Sequence, residues 1–589
     1  MHRSGFLGRH ARAAVVATGV VALAALGTGL LAAGPGATGP APRSQPVVAP
    51  SPGEHPNGRT VRVPPARPPV DRPNIIVVML DDLRVDELRF APNVRRYVGE
   101  RGLEFRNSFS PYPLCCPARA SFLLGRYAHN HGVLHHDEPY GFGALDDRRT
   151  IAGRLQAAGY QTGMVGKYLN GYGIQPSRVT GDSSIGYVPA GWTDWMVGLD
   201  TQWPWGSPNT GSTYDYFAFT QNVNGQVVPH PGEYSSTVIA DQTRGLIRKY
   251  HRSGKPFFLW VTPVAPHHGL PIEADDPPAY LQEGGYLQEF PTPARPDWVR
   301  GRFDGAITHA PGLPVDGPSE ADVRDKPWNI RKWPEVAPQE RDRLRDLARQ
   351  RAESVYAWDV EFGRIVERLK STGEYDDTVI AFTSDNGFYL GEHRQRLGKI
   401  KAHEPVIRVP LVVAGPGVGI GVRYHPVTTV DLAATVLDLA GARPLPATDG
   451  TSQVPVLTGP DLPWTTPVLT EGLVKGVPTR QRVHLPEGLT TSGIRTGRWK
   501  LIRYSSGEGE LYDLAADPNE LTSRWRDPAY ADVRRELVSL WKQYRSCHGA
   551  ACRAVLPASL HEDPAALAVL DRRARREKHA YYDRPFPAR

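Results

Sequence analysis

The residues best suited to chemistry in this chain gather around Leu114-Cys115-Cys116-Pro117-Ala118-Arg119 and the Gly125-Arg126 pair that follows. Pro117 suits the first turn of a helix, where its missing N–H costs nothing. Ala118 to Leu124 reads as the body of that helix. Cys115 is therefore expected at or just before a helix N-terminus, where free N–H groups and the dipole favour an anion. Arg119, one turn on, brings a guanidinium to the same place. Asp81-Asp82 and Asp385-Asn386 add four oxygen-bearing side chains. Oxygen-only ligation suits Ca²⁺, or less well Mg²⁺, and not zinc. Lys167, His267 and Lys399 are further cations or proton carriers. Taken singly, each has an ordinary reading: a buried structural cysteine pair, strand-end turns, surface charges.

Strands and helices must bring these residues together. Asn74 to Leu80 is a continuous apolar run, as in a central parallel strand, and Asp81-Asp82 sits at its C-terminal tip. That is where open α/β sheets place ligands. Gln161 to Val165 reads as a strand leading into Gly166-Lys167. Pro256 to Pro263 is a buried strand ending near His267, and Thr378 to Thr383 a strand ending at Ser384-Asp385-Asn386-Gly387. Helices are expected at 93–101, 149–158, 235–251, 338–372 and 429–440. Residues 172–232 read as long loops with short edge strands, and 270–335 as surface loops shaping a cleft. After about 460, short strands at 468–471, 491–495, 499–504 and 510–513, with a helix near 531–545, indicate an antiparallel sheet.

The Cys115 segment resembles the sulfatase signature C-x-P-[SA]-R-x(4)-[TL]-G-[RK], and the register selects Cys115 because Cys116 has no proline two residues later. The resemblance spans about residues 72–545. It implies an α/β fold of the alkaline-phosphatase type: a large mixed, mostly parallel sheet sandwiched by helices, plus a smaller C-terminal antiparallel sheet with a packed helix. It implies that Cys115 is oxidised to formylglycine (3-oxoalanine) by a formylglycine-generating enzyme. The modified residue, Asp81, Asp82, Asp385 and Asn386 would hold Ca²⁺. Arg119, Lys167, His267 and Lys399 would bind the sulfate or protonate the leaving oxygen, with His268 a competitor of His267. Phosphatase-like and phosphonate-hydrolase relatives usually carry histidine where this chain has Asn386. Many sulfatases read Gly-Lys-x-His, whereas here the last position is Leu169; Asn170, His129, His131 and His403 are candidates for the missing base. Gly-Lys-Tyr-Leu-Asn, Cys-Cys-Pro-x-Arg-Ala-Ser and Lys326-Pro327-Trp328-Asn329-Ile330-Arg331 look like the N-acetylglucosamine-6-sulfatase branch. The implied activity is hydrolysis of a sulfate monoester on a sulfated sugar or small molecule. The alternatives are a phosphonate or phosphate ester hydrolase and a non-catalytic binder of sulfated glycans.

The 589 residues, 40% hydrophobic, suffice for a large core. A net charge of +7 is compatible with sulfated polyanions or with a plain Arg-rich surface. Zinc-finger spacing and aromatic-basic motifs are missing, which argues against nucleic acid. Arg3, Arg9 and Arg12 precede an apolar run from Ala13 to Ala33, read as a secretory signal or an uncleaved membrane anchor. Four parts are expected: signal or anchor 1–33, Pro/Gly-rich linker 34–70, catalytic domain 71–460, C-terminal subdomain and tail 461–589. The expected location is extracellular. Cys547 and Cys552, close in sequence, are expected to form a small-loop disulfide in an exported protein, leaving Cys116 a buried thiol.

Overall fold

The computed structural model describes residues 67–583 apart from 69, 208 and 475–488. The expected signal or anchor at 1–33, and nearly all of the expected linker, lie outside the described residues.

Ten strands form one mixed sheet. Its five central strands run parallel in the order Thr378–Ser384, Asn74–Leu80, Phe257–Thr262, Gln161–Lys167, Asp194–Gly198. Antiparallel pairings with Leu411–Ala414 on one side and Thr220–Val223 on the other continue the sheet outward. The central strand Asn74–Leu80 is buried along its whole length, as expected for a strand covered on both faces. Its side chains alternate with period two. Ile76, Val78 and Leu80 join the cluster beneath the helices Ser235–Ser253 and Pro338–Thr372. Ile75, Val77 and Met79 join the opposite cluster, with Phe122 and Leu123 of Cys115–Leu124 and Leu432 and Val436 of Thr429–Leu439. Strand register sets which side chains meet beyond the sheet edge. Leu80 pairs with Ser384, so Asp81 and Asp385 leave neighbouring strands side by side.

Two glycines sit at positive φ where the site is built. Gly125 ends the Cys115 helix at φ +60°. Gly166 has φ +111°, and a Cβ there would lie 2.2 Å from the Thr262 carbonyl oxygen, so only glycine lets Lys167 reach the sheet edge beside that strand.

The second sheet orders Val468–Val474, Leu489–Arg495, Trp499–Tyr504 and Gly509–Asp513, all antiparallel. Helix Ala531–Tyr544 packs on it through Leu537, Leu540 and Tyr544. The same apolar cluster takes in Phe109, Tyr389, Val406 and Ile407 of the larger body, and Ala66–Arg589 forms one compact unit. Cys547 and Cys552 are joined by a disulfide, and Cys115 and Cys116 are free and buried.

The long segment 338–372 is one unbroken helix. A further helix, Pro564–Tyr582, lies in the tail, beyond the elements expected from the sequence. Its start is written locally: Asp563 accepts a hydrogen bond from the Ala566 N–H at 2.7 Å, and Pro564 occupies the first turn. The helix returns to the body, where Asp571 lies 3.9 Å from both Arg106 and Arg408 and the Tyr582 carbonyl accepts from His309 Nε2 at 2.8 Å.

Candidate functional site

Four strand ends and one helix start meet at the C-terminal edge of the parallel strands. Asp82 sits at φ +68°, a left-handed turn that Asp tolerates better than most residues. Its N–H donates to Asp385 Oδ1 at 3.1 Å, and the next N–H, of Leu83, donates to Ser384 Oγ at 2.9 Å. The bend after one strand is thus stitched to the tip of its neighbour. Cys115 is the first residue of its helix, and all ten residues of that helix are buried.

Asp81, Asp82, Cys115, Arg119, Asp385 and Asn386 are at most 1% exposed. Cys115 Sγ lies 3.0 Å from Asp81 Oδ1 and 3.8 Å from Asp82 Oδ1. Lys399 Nζ donates to Cys115 Sγ at 2.8 Å and also to Asp82, while Lys167 Nζ pairs with Asp81. Arg119 donates through Nε to Asp385 Oδ2 at 2.8 Å and through Nη1 to the Lys167 carbonyl at 2.7 Å. Asn386 Nδ2 donates to Asp82 Oδ1 at 2.6 Å. The structure therefore brings Asp81, Asp82, Cys115, Arg119, Lys167, Asp385, Asn386 and Lys399 together in one pocket.

His267 is the histidine of the pair that enters it. Its Nε2 lies 3.8 Å from Asp82 Oδ2, and the ligand atoms of Asp81, Asp82, Cys115 and His267 fall within 4.8 Å of one another. His267 Nδ1 lies 2.8 Å from the His268 carbonyl oxygen, which it meets as a donor, so Nε2 carries the lone pair of a neutral ring. His268 is exposed and stacks on His267 at 4.1 Å.

The site's electrostatics follow from burial set against close partners. Burial would raise the Asp81 carboxyl, but Lys167, Arg119 and Lys399 outweigh it and hold the group well below the usual range. Burial, then the neighbouring charge of Asp81, pushes Asp385 up to about 6 against the pull of Arg119. Burial opposes charge on Lys167 and Lys399, yet Asp81 and Asp82 respectively keep both ammonium groups protonated. Burial, then His268, keeps His267 neutral. The Cys115 thiol is raised well above normal by burial and then by Asp81.

The donor set fits a hard cation. Asp82 Oδ2 and Asn386 Oδ1 are buried oxygens with no hydrogen-bond partner, and such groups are costly unless something fills the gap. Both oxygens of Asp385 already accept a hydrogen bond, and each retains a free lone pair. The other acidic group, Glu273, Asp275 and Asp276, is different, because Arg295 and Arg300 neutralise Glu273 and Asp275.

Three of the four candidates for the base missing at Leu169 are committed elsewhere. His129 bonds Glu471 at 2.7 Å and the Cys547 carbonyl at 2.8 Å; His131 bonds Ser121 at 3.0 Å; His403 lies between Tyr389 at 2.7 Å and Glu510 at 3.0 Å. Asn170 is nearer, donating to the Tyr214 hydroxyl whose ring underlies Lys167 Nζ at 4.7 Å. Leu169 itself is buried core. Sequence reasoning overlooked His136, on which the charges of Lys399 and Lys167 act. The only local hint was the His135-His136 pair shortly after the Cys115 helix.

Comparison with known proteins agrees with this geometry. Residues 73–442 match the sulfatase family model, and residues 391–546 match a model described as N-sulphoglucosamine sulphohydrolase, C-terminal. An arylsulfatase of Volvox carteri is 30% identical over 514 residues, covering 82% of this chain and 76% of the relative. The human N-acetylglucosamine-6-sulfatase is 27% identical, covering 82% and 86%. Among solved structures, one determined with its substrate D-glucosamine-2-N,6-O-disulfate superposes with a TM-score of 0.59 at 23% identity, covering 80% of this chain and 97% of that one. A phosphonate monoester hydrolase from Silicibacter pomeroyi superposes with a TM-score of 0.58 at 22% identity, covering 83% and 99%. These structural likenesses speak to the fold and do not separate the two chemistries. The family match over more than half of the chain does: this chain belongs to the sulfatases, the sulfuric ester hydrolases.

Proposed function

We propose that the chain is an exported, calcium-dependent sulfatase that removes a 6-sulfate from a glucosamine-type sugar and works only after Cys115 is oxidised to formylglycine. The observation that carries this reading is that two residues bonded to each other, Asp82 and Asn386, keep buried oxygens without a partner (Oδ2 and Oδ1), and that Asp82 lies beside a cysteine that touches Asp81 and Lys399. As a thiol, Cys115 is held protonated and inert, so chemistry at that position needs another group. Asp81, Asp82, Asp385, Asn386 and the side chain at 115 would hold the ion. When bound, the metal supplies Lewis-acid polarisation and the hydrated aldehyde supplies the attacking hydroxyl.

The protein's own residues account for the rest. Arg119, Lys167 and Lys399 balance Asp81, Asp82 and Asp385 charge for charge, so a divalent ion leaves the pocket with excess positive charge. A sulfate monoester, a tetrahedral anion, is drawn to that excess, which stabilises the charge that develops on its oxygens. Lys399 holds a proton within reach of the departing alcohol oxygen, kept there by Asp82. His267 offers a lone pair at Nε2 and orients what lies beside it. Burial of the whole set excludes water and strengthens each interaction.

The 6-sulfated glucosamine assignment draws on the human relative named N-acetylglucosamine-6-sulfatase and on the neighbour solved with D-glucosamine-2-N,6-O-disulfate. Export draws on the run from Ala13 to Ala33 and on relatives such as the extracellular sulfatase SULF-1 homolog of Drosophila melanogaster. Among the described residues, no helix is long and apolar enough to cross a membrane.

Mass spectrometry of the Cys115 peptide from active protein tests the chemistry: it should be lighter than the cysteine form, and full activity with an unmodified cysteine would overturn the mechanism. Release of sulfate from a panel of sulfated sugars tests the substrate. A preference for 4-nitrophenyl phenylphosphonate over 4-nitrophenyl sulfate would instead favour the phosphonate hydrolase reading.

A further inference from the structure

His136 is a half-buried histidine that the mechanism above does not use. Its Nε2 is shielded from solvent and has no hydrogen-bond partner. A polar atom left unmatched in this way calls for an explanation. Its loop is held firmly. The His136 carbonyl accepts from Gln175 Nε2 at 3.1 Å, and Gln175 Oε1 accepts in turn from the Gly143 N–H at 2.7 Å. Leu134 and Tyr140, which bracket the loop, pack in one apolar cluster with Leu114 and Ile400. Those two residues are the immediate neighbours of Cys115 and Lys399. The clamp therefore holds the loop beside the segments that carry both, and the leading charges that act on the imidazole are those of Lys399 and Lys167. Burial first, and then these neighbours, keep the ring neutral, with one N–H to give.

Three features narrow what meets that nitrogen. The leading charges on the ring are those of the pocket's two lysines, which favour an anion beside it. A sulfuryl group presents only acceptor oxygens, so it needs donors. Lys167 and Lys399 are each already bonded to a carboxylate, which leaves room for a donor that is not spent on the protein.

Resting on the sulfatase reading above, we propose that His136 is a substrate-binding residue whose Nε2–H donates to an oxygen of the bound sulfuryl group, bringing from the loop after the Cys115 helix an imidazole contact where Leu169 offers none. It is a neutral donor among cations. It therefore adds directionality to a pocket whose other groups act mainly as charges.

Titrating inorganic sulfate into the full-length, calcium-loaded protein by isothermal calorimetry tests this, with KM for 4-nitrophenyl sulfate measured alongside. Loss of a hydrogen bond to an anion in H136A should weaken sulfate binding about tenfold or more and raise KM in step. H136Q, whose amide nitrogen reaches the same space, should stay within about threefold of the parent by the same reasoning. Unchanged sulfate affinity in H136A would overturn the proposal alone. So would H136Q binding as weakly as H136A while melting like the parent. A parent that binds no sulfate at all would overturn the sulfate-pocket reading together with this one.

Discussion

Lys399 Nζ lies 2.8 Å from Cys115 Sγ, although 284 residues separate them in the chain. The loop carrying Lys399 is over-determined. The next residue, Ile400, donates its N–H to the Pro113 carbonyl at 2.9 Å and adopts φ +81°, a conformation unfavourable for a β-branched side chain. Strain of this kind persists only where surrounding contacts enforce it, and it clusters at functional sites.

Lys399→Ala should therefore lower kcat by about 10²–10³-fold, the usual cost of removing one fixed donor to developing charge. The melting temperature should fall as well, because the change leaves the buried Asp82 carboxylate without its cation. Steady-state kinetics on 4-nitrophenyl sulfate beside a melting curve checks both. A variant with near-normal kcat would remove Lys399 from the reaction.

Calcium should stabilise the fold. With the ion about a hundredfold above its Kd, the gain is about 2.7 kcal/mol, seen as a rise in Tm that chelation reverses. Asp385→Asn removes one of the pocket's three carboxylates and should abolish most of that gain. Equal melting of the wild-type chain with and without calcium would contradict the metal assignment.

Arg119 cannot be replaced by lysine. Its two bonds, to Asp385 at 2.8 Å and to the Lys167 carbonyl at 2.7 Å, use the fixed fork of the guanidinium in a fully buried setting. Breaking a buried pair commonly costs about 3–5 kcal/mol. Arg119→Lys should lose a similar amount in urea unfolding and be inactive. Full stability in this variant would show that solvent reaches the pair.

His129 gives stability a pH dependence away from the active site. Burial opposes its charge, but Glu471 and the Cys547 carbonyl win, and its pKa rises from 6.5 to about 9. The folded state thus binds a proton more tightly than the unfolded chain. That contribution is complete below pH 6.5 and is lost as pH rises through 9. Screening at this half-buried site reduces the effect to about 1–2 kcal/mol. Wild-type Tm should fall between pH 6 and 10 by more than that of His129→Gln; parallel curves would refute the linkage.

Much of this architecture is legible in the chain because it is local. An apolar run makes Asn74–Leu80 a buried strand whatever surrounds it, and Asp81-Asp82 ends it. Cys115, Pro117 and Arg119 announce a helix start with an anion site by type and spacing alone. Even Pro564–Tyr582 has its cap written in Asp563-Pro564, a local signal that goes unused when the tail is taken as irregular.

Other features depend on neighbours far away in sequence. Nothing nearby distinguishes His267 from His268; the strand register and the position of Asp82 do. His129, His131 and His403 are equal candidates until Glu471, Ser121 and Glu510 claim them. His136 gains meaning only from its shielded, unpartnered Nε2 and from the charge of two distant-in-sequence lysines. Residue type and spacing are properties of the chain and set which chemistry is available. Burial, hydrogen-bond partners and proton affinity arise only when distant segments exclude water together, and so tertiary packing decided which of the available side chains form the site.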